Sequence, residues 1–120
     1  AKRDWGHAAD YVRGMWMMLQ AEEPDDYVLA TGEMHSVREF AEKAGAVLGF
    51  TIVWEGAGIE ECGKDARTGK TLIRVDPKYF RPSEVEALCG DARKAREKLK
   101  WEPTISFDSM VERMAREDAP

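Results

Sequence analysis

The stretch from His7 to Gln20 constrains the fold most. As a helix, it would carry apolar residues over more of its surface than one packed neighbour can cover. Its apolar residues recur every three or four positions, which is the spacing of one helical face: Ala8, Tyr11, Val12, Met15, Trp16 and Leu19. Met17 and Met18 widen this face further. The pattern predicts a helix that needs cover on more than one side, and we interpret its Met and Trp residues as core rather than as a cofactor site.

Three short apolar segments predict β-strands between the helices. The run at 27–32 does not alternate, which is typical of a strand buried on both faces. Residues 50–54 alternate as in a half-buried strand, and a third strand is expected at 71–76. The glycine-rich and charged stretch 55–70 has no phosphate-binding glycine spacing. It predicts a flexible loop that ends in a turn at 65–70.

Helix caps are well marked in the sequence. Ser36 and Glu39 form a capping box at the start of a second helix, which Gly49 is suited to end. Asp91 and Ser106 are expected to cap two further helices. Helices that alternate with short strands predict an α/β fold.

Composition excludes several classes of function. The formal net charge of −5 and the pI of about 5.1 argue against nucleic-acid and anionic-membrane partners. No apolar run approaches the roughly 18 residues of a membrane span. Cys62 and Cys89 lack metal or disulfide spacing, so we expect reduced cysteines in a cytoplasmic protein. With only His7 and His35, no metal site is expected.

Because the chain starts at Ala1 without an initiator Met, we expect it to begin within a longer protein.

The segment 76–84 combines a guanidinium and a carboxylate with two prolines. Pro77 and Pro82 fix their own φ angles and disfavour helix just before them, so Arg81 is expected in a stiff extended or turn segment. The planar fork of an arginine suits phosphate oxygens, and an ionised Glu84 suits a pair of sugar hydroxyls. Spacing alone favours a simpler interpretation, a surface Arg–Glu pair beside a turn.

Motifs along nearly the whole chain resemble the GDP-mannose 4,6-dehydratase family, which belongs to the extended short-chain dehydrogenase/reductases. They lie, in order, at 3–12, 14–20, 24–28, 30–33, 35–40, 75–85, 90–91, 94–95, 98–99 and 101–103. The resemblance implies that residues 1–120 form the C-terminal substrate-binding region of such a Rossmann-like enzyme, with mixed short strands and helices. It also implies that the N-terminal NADP-binding Rossmann part is absent from the chain.

The family converts GDP-mannose to GDP-4-keto-6-deoxymannose, a step toward GDP-fucose and other deoxyhexoses, with tightly held NADP. By this resemblance, Arg3 and Arg81 bind the diphosphate and Glu84 binds the ribose hydroxyls, whereas His7 and Asp10 position the turn and the helix start. The catalytic and NADP-binding motifs of the family lie N-terminal to these residues. The 120 residues alone are therefore expected to be inactive, with no catalytic, cofactor-binding or metal-binding residue.

Two other interpretations stay open. One is the same region of a related nucleotide-sugar reductase or epimerase, and the other is a non-catalytic nucleotide-binding or interaction module.

The expected partners are GDP-mannose and the N-terminal half or other subunits, in a homo-oligomer when complete. We expect the first helix to lie against such a partner. In this chain alone, its side chains should be less well packed than those of the second helix: Val37, Phe40 and Val47.

Overall fold

The computed structural model describes all 120 residues as an α/β arrangement of four helices and five short strands, which confirms the predicted fold class. The helices are α1 (Ala8–Gln20), α2 (Val37–Val47), α3 (Arg93–Leu99) and α4 (Phe107–Asp118). The strands are β1 (Lys2–Arg3), β2 (His35–Ser36), β3 (Ile52–Glu55), β4 (Cys62–Asp65) and β5 (Thr71–Arg74). β1 and β2 form an antiparallel pair, and β3, β4 and β5 form a three-stranded antiparallel sheet in that order.

The inner face of α1 packs on the loop around Trp101. Trp101 is fully buried, and its indole N–H donates to the backbone carbonyl of Asp10 at 2.8 Å. Gly14 lets the two surfaces approach, since a Cβ there would stand 2.6 Å from Leu29 Cδ1 and 3.0 Å from Trp101 Nε1. Ala95 of α3 is also fully buried in this cluster. Contacts distant in sequence thus fix one side of α1.

The opposite side of α1 is uncovered and apolar. We call it the outer stripe, and it consists of Val12, Met15, Trp16 and Leu19, which are 58%, 56%, 61% and 82% exposed. On α2, Phe40 and Val47 are half-buried, so the predicted difference in packing is confirmed for the outer stripe against these two residues. It is not confirmed for Tyr11, Met17 and Met18 of α1, which are half-buried as well. The predicted difference is also wrong for Val37, which is as exposed as the outer stripe, at 55%. Val37 lies in the first turn of α2, at the edge of the packed region.

The predicted helix caps are mostly confirmed. Ser36 Oγ accepts from the Glu39 N–H at 3.0 Å while the Glu39 carboxylate accepts from the Ser36 N–H, which completes the capping box. Ser106 Oγ likewise accepts from the backbone of α4. Asp91 differs by one position: Ala92 is the N-cap of α3, and Asp91 Oδ1 accepts from the Arg93 N–H at 3.0 Å.

Helices α2 and α4 pack together around aromatic rings. Phe107, Met110 and Val111 of α4 are buried, and Phe40 of α2 meets the Phe107 ring edge-on at 6.0 Å between centroids. The Trp5 ring lies 5.1 Å from that of Phe40. The segment just before α1 is thereby attached to the α2–α4 pair.

The stretch 55–70 is not only a flexible loop, as the sequence predicted. It contains a single 3₁₀ turn, Gly58–Glu60, followed by β4, which pairs with both β3 and β5. Gly63 is buried in β4, and a Cβ there would come within 3.0 Å of Ile52 and Trp54. β4 therefore forms because its neighbours fit against it and not because its own residues favour a strand. The final turn at 65–70 is confirmed, since Asp65 accepts from the N–H groups of Arg67 and Gly69.

The predicted strand at 27–32 is not a β-strand in this structure. Residues 27–31 form no regular element, and no backbone group from Tyr27 to Thr31 is hydrogen-bonded to another backbone group. Only Ala30 is buried, while Val28 is 54% exposed. The sequence signal fails because a strand also needs a neighbouring strand, and none in this chain lies along the segment.

The molecule is elongated and thinly packed. Its radius of gyration is 17.6 Å, against about 14 Å for a compact domain of this length. Only 12 of 120 residues are buried, so most apolar side chains retain contact with solvent. None of the four α-helices is both long and apolar enough to span a membrane.

Candidate functional site

Strand β1 brings the beginning of the chain against the segment that follows Arg81. On one side Lys2 and Arg3 pair with Ser36 and His35 of β2. On the other side the Lys2 N–H donates to the Glu86 carbonyl at 2.7 Å, and the Leu88 N–H donates to the Lys2 carbonyl at 3.2 Å. The main chain thus places Arg3 beside residues 84–88, more than 80 positions later in sequence.

All three predicted site residues, Arg3, Arg81 and Glu84, lie together. Arg3 Nη2 donates to Glu84 Oε1 at 3.0 Å, and Arg3 Nη1 donates to the Val85 carbonyl at 2.9 Å. Arg81 Nη1 stands 4.0 Å from Glu84 Oε2, too far for a hydrogen bond. The carboxylate therefore lies between two guanidinium groups, one bound to it and one free.

The three side chains differ in how much of their hydrogen-bonding capacity remains. The Arg3 side chain is only 27% exposed and part of its fork is used within the protein, whereas that of Arg81 is 75% exposed and donates no hydrogen bond. Glu84 Oε2 also accepts none. Arg81 and this oxygen are the groups that are free to meet an anion and a hydroxyl.

The segment that carries Arg81 is held by a local turn. The Tyr79 N–H donates to the Asp76 carbonyl at 3.0 Å, and the Lys78 N–H donates to the Asp76 carboxylate at 2.9 Å. A bend follows at Pro82 and Ser83. The predicted turn is confirmed, and it presents the Arg81 side chain to solvent.

Asp4, next to Arg3 in the chain, is a connecting residue that the sequence pattern does not mark. Its carboxylate accepts from the Thr31 N–H and hydroxyl at 2.9 and 2.5 Å, from the Gly32 N–H at 2.9 Å and from the Gly90 N–H at 3.2 Å. Burial raises the pKa of Asp4, but these hydrogen bonds outweigh it and hold the pKa below its ordinary value. Asp4 therefore joins the 27–32 segment to the end of the segment that carries Arg81 and Glu84.

His7 and Asp10 both hold the structure around the start of α1. His7 is the N-cap of α1, where its Nδ1 accepts from the Ala9 N–H at 3.0 Å. Asp10 is buried and accepts from the N–H groups of Thr104 and Ile105, both at 3.0 Å. Burial raises the pKa of Asp10, yet the hydrogen bonds prevail and lower it. Asp10 thus connects the start of α1 with the loop before α4.

The candidate site is an open surface and not a closed pocket. A concavity of about 650 Å³ opens at the end of α1, between Trp16, Tyr27 and Leu99, and neither Arg3, Arg81 nor Glu84 lines it. The candidate site is therefore defined by the position of its charged groups and not by a cavity, because recognition of an anion requires donors more than volume.

Residues 1–114 match the family described as GDP-mannose 4,6 dehydratase. The chain belongs to this family. It is 56% identical over 118 residues to GDP-mannose 4,6 dehydratase of Homo sapiens, covering 98% of the chain and 32% of that protein. It is 58% identical over 118 residues to GDP-mannose 4,6-dehydratase of Sinorhizobium fredii (strain HH103), covering 98% of the chain and 34% of that protein. The chain therefore spans about a third of the length of these family members.

A solved structure shares the fold. The structure of RMD from Pseudomonas aeruginosa complexed with NADPH superposes with a TM-score of 0.68, covering 98% of the chain and 32% of the RMD chain. The two sequences are 14% identical in this comparison, so the likeness concerns the fold alone. The recognition of the family and the expected fold class are both confirmed.

Proposed function

We propose that this chain is the C-terminal substrate-binding region of an NADP-dependent GDP-mannose 4,6-dehydratase, a lyase that forms GDP-4-keto-6-deoxymannose. The observation that carries the proposal is the 56–58% identity to dehydratases across 98% of the chain. The related reductase or epimerase is less well supported, because the human and S. fredii relatives that match at 56% and 58% identity are both named dehydratases. The complete protein is proposed to be a cytoplasmic homo-oligomer.

The charged groups support a role in binding a GDP-sugar. Arg81 offers a free planar fork to the diphosphate, and Arg3 adds positive charge beside it. Glu84 Oε2 is free to accept from a ribose hydroxyl, while its other oxygen is held by Arg3. The Arg3–Glu84 pair thus fixes the carboxylate before ligand arrives, which lowers the entropic cost of binding.

The chain itself does not fit NADP. No strand of the structure runs through a glycine-rich turn into a helix, and β2 passes directly into α2 at Ser36. We assign the cofactor, which supplies hydride transfer, and the catalytic groups to the two thirds of the family polypeptide that this chain does not span. The 120 residues should by themselves produce no 4-keto product from GDP-mannose, with or without NADP.

A chimera tests the proposal. The S. fredii relative, with its 118 matched residues replaced by this chain, should dehydrate GDP-mannose, which mass spectrometry detects as loss of one water. Arg81→Ala should weaken GDP-mannose binding about tenfold or more, since a charge-assisted hydrogen bond contributes about 1.5–3 kcal/mol. Glu84→Gln should cost less, because the amide still accepts one hydrogen bond.

Arg116→Ala is the matched control, because Arg116 is also exposed and paired with a glutamate, on α4. Its affinity for GDP-mannose should equal that of the parent chimera. Unchanged affinity in Arg81→Ala would place the diphosphate elsewhere. A folded chimera that binds GDP-mannose without converting it would favour the non-catalytic module.

A further inference from the structure

Glu84 lies where a bound diphosphate needs positive charge. Its carboxylate accepts from Arg3 Nη2 at 3.0 Å and stands 4.0 Å from Arg81 Nη1. We propose that Glu84 is a specificity-determining residue, whose carboxylate lowers the affinity of this site for diphosphates that carry no nucleoside. The inference rests on the proposed function, because it takes Arg3, Arg81 and Glu84 as part of the binding site for a GDP-sugar.

The charges of the three side chains nearly cancel. Two guanidinium groups and one carboxylate leave a single net positive charge, and the Arg3–Glu84 ion pair already uses part of one guanidinium. Arg3 Nη1 is occupied as well, since it donates to the Lys2 and Val85 carbonyls. Arg81 is therefore the main donor group that remains for a phosphate.

The Glu84 carboxylate is close enough to act on a phosphate held by Arg81. A phosphate oxygen bound to Arg81 Nη1 at about 2.8 Å would lie within about 7 Å of Glu84 Oε2, because Nη1 stands 4.0 Å from Oε2. This distance is shorter than the Debye length of about 8 Å at physiological ionic strength. The Glu84 side chain is 41% exposed, so water weakens the repulsion between carboxylate and phosphate without removing it.

A nucleoside compensates for this repulsion, whereas pyrophosphate does not. Ribose hydroxyls donate hydrogen bonds, and Glu84 Oε2 accepts none in the structure. With a nucleotide bound, the carboxylate gains these donors beside the phosphates. With pyrophosphate bound, it faces only negatively charged oxygens.

The charge of the ligand increases the contrast. A terminal phosphate has a second ionisation near pH 6, so a free end adds negative charge at neutral pH. Pyrophosphate has two free ends, whereas the diphosphate of GDP-mannose is esterified at both ends. The Glu84 carboxylate therefore repels pyrophosphate more strongly than it repels the proposed substrate.

Titration calorimetry on the S. fredii chimera tests the proposal, with inorganic pyrophosphate as the probe. The Glu84→Gln chimera should bind pyrophosphate about fivefold or more tightly than the parent chimera, because the repulsion is gone. The same substitution should weaken binding of GDP-mannose, because the ribose hydroxyls lose a charged acceptor. Opposite effects on the two ligands cannot arise from a general loss of folded protein.

Glu112→Gln is the matched control, because Glu112 is an exposed glutamate paired with Arg116 and its replacement changes the net charge equally. This variant should keep both affinities of the parent. Salt provides an independent measurement: at 1 M ionic strength, where the Debye length is about 3 Å, the advantage of Glu84→Gln for pyrophosphate should fall below about twofold. An advantage that persists unchanged at 1 M would contradict a role through charge and overturn the proposal.

Removal of the ribose hydroxyls tests the compensation from the side of the ligand. The parent chimera should bind GDP about tenfold or more tightly than 2′,3′-dideoxy-GDP, since the lost hydrogen bonds involve a charged acceptor. In Glu84→Gln the ratio of the two affinities should fall to about threefold or less. The same ratio in both proteins would overturn the proposal.

This inference and the proposed function fail separately. Pyrophosphate binding that does not tighten in Glu84→Gln, in a chimera that dehydrates GDP-mannose, would overturn this inference alone. So would the absence of pyrophosphate binding to both proteins. A folded chimera that shows the opposite effects on pyrophosphate and GDP-mannose, yet forms no 4-keto product, would overturn the proposed function alone.

Discussion

Replacement of the buried Asp10 by Asn should open the contact between α1 and the loop before α4. The Asp10 Oδ2 atom accepts from the N–H groups of Thr104 and Ile105, and Oδ1 accepts from the Thr104 hydroxyl at 2.8 Å and from Arg13 at 3.1 Å. Asn retains one acceptor oxygen and turns an N–H₂ group toward donors. The substitution therefore weakens this set of hydrogen bonds and leaves the helix in place.

The size of the effect follows from these contacts. A hydrogen bond to a charged group contributes about 1.5–3 kcal/mol and a neutral one about 0.5–1.5 kcal/mol. Loss of charge on the two backbone bonds to Thr104 and Ile105 therefore costs about 2 kcal/mol, and the Thr104 hydroxyl bond adds about 1 kcal/mol. Arg13 adds little, because its side chain is 37% exposed and water replaces the contact. Asp10→Asn should cost about 2–4 kcal/mol in local stability.

Amide exchange in the chimera measures this cost where it arises. At about 1.4 kcal/mol per factor of ten, the Thr104 and Ile105 amides should exchange roughly 30- to 1,000-fold faster in Asp10→Asn than in the parent. Asp26→Asn, a substitution of an exposed carboxylate, should leave both amides unchanged. A change of less than about threefold at Thr104 and Ile105 would refute the role assigned to Asp10.

The Asp10→Asn variant should also lack one contribution to the loss of stability at low pH. The pKa of Asp10 is lower in the folded protein than its ordinary value of 3.8, since its hydrogen bonds outweigh burial. A lowered carboxyl pKa stabilises the fold fully above the unfolded pKa, and this contribution is lost as pH falls through the folded pKa. The difference in protection between parent and Asp10→Asn should therefore be largest near pH 6 and shrink below about pH 4. A difference that stays constant down to pH 3 would contradict this explanation.

Two further substitutions test the packing and the caps in the chimera. Gly14→Ala should destabilise it by about 1 kcal/mol, because overpacking against Leu29 and Trp101 costs about 1–3 kcal/mol while helix propensity returns about 1 kcal/mol; a raised melting temperature would contradict the close approach. Ser36→Ala should cost about 1 kcal/mol through loss of the α2 cap, with Ser83→Ala as an exposed control that should have no effect.

The features that the sequence predicted correctly depend on neighbours along the chain. The caps at Ser36 and Ser106 bond within three residues, and the turn at 65–70 closes on Asp65. β3 alternates between half-buried and exposed residues, as its own sequence pattern indicates. Local rules decide such elements, because their partners are fixed by the helical or turn geometry itself.

The features that the sequence did not predict depend on distant partners. β4 has residues of low strand propensity, and its pairing comes from β3 and β5. The segment 27–31 has high strand propensity, and it lacks a partner. Asp4 and Asp10 look like ordinary acidic residues near a helix start, yet their acceptors meet donors 27 to 95 positions away. Strand propensity alone therefore misses β4 and wrongly predicts a strand at 27–31.

The residues of the candidate site could be proposed from the sequence, but their contacts could not. Motif resemblance grouped Arg3, Arg81 and Glu84, and the structure adds the contacts that two adjacent residues of the chain make. Arg3 bonds to Glu84 and Val85, while Asp4 bonds to Thr31, Gly32 and Gly90. Arg3 and Asp4 share one peptide unit, so the Arg3 guanidinium and the 27–32 segment are both attached to the same short stretch of the chain. Sequence separation hides this arrangement, because the residues that Arg3 and Asp4 contact lie 27 to 86 positions further along the chain.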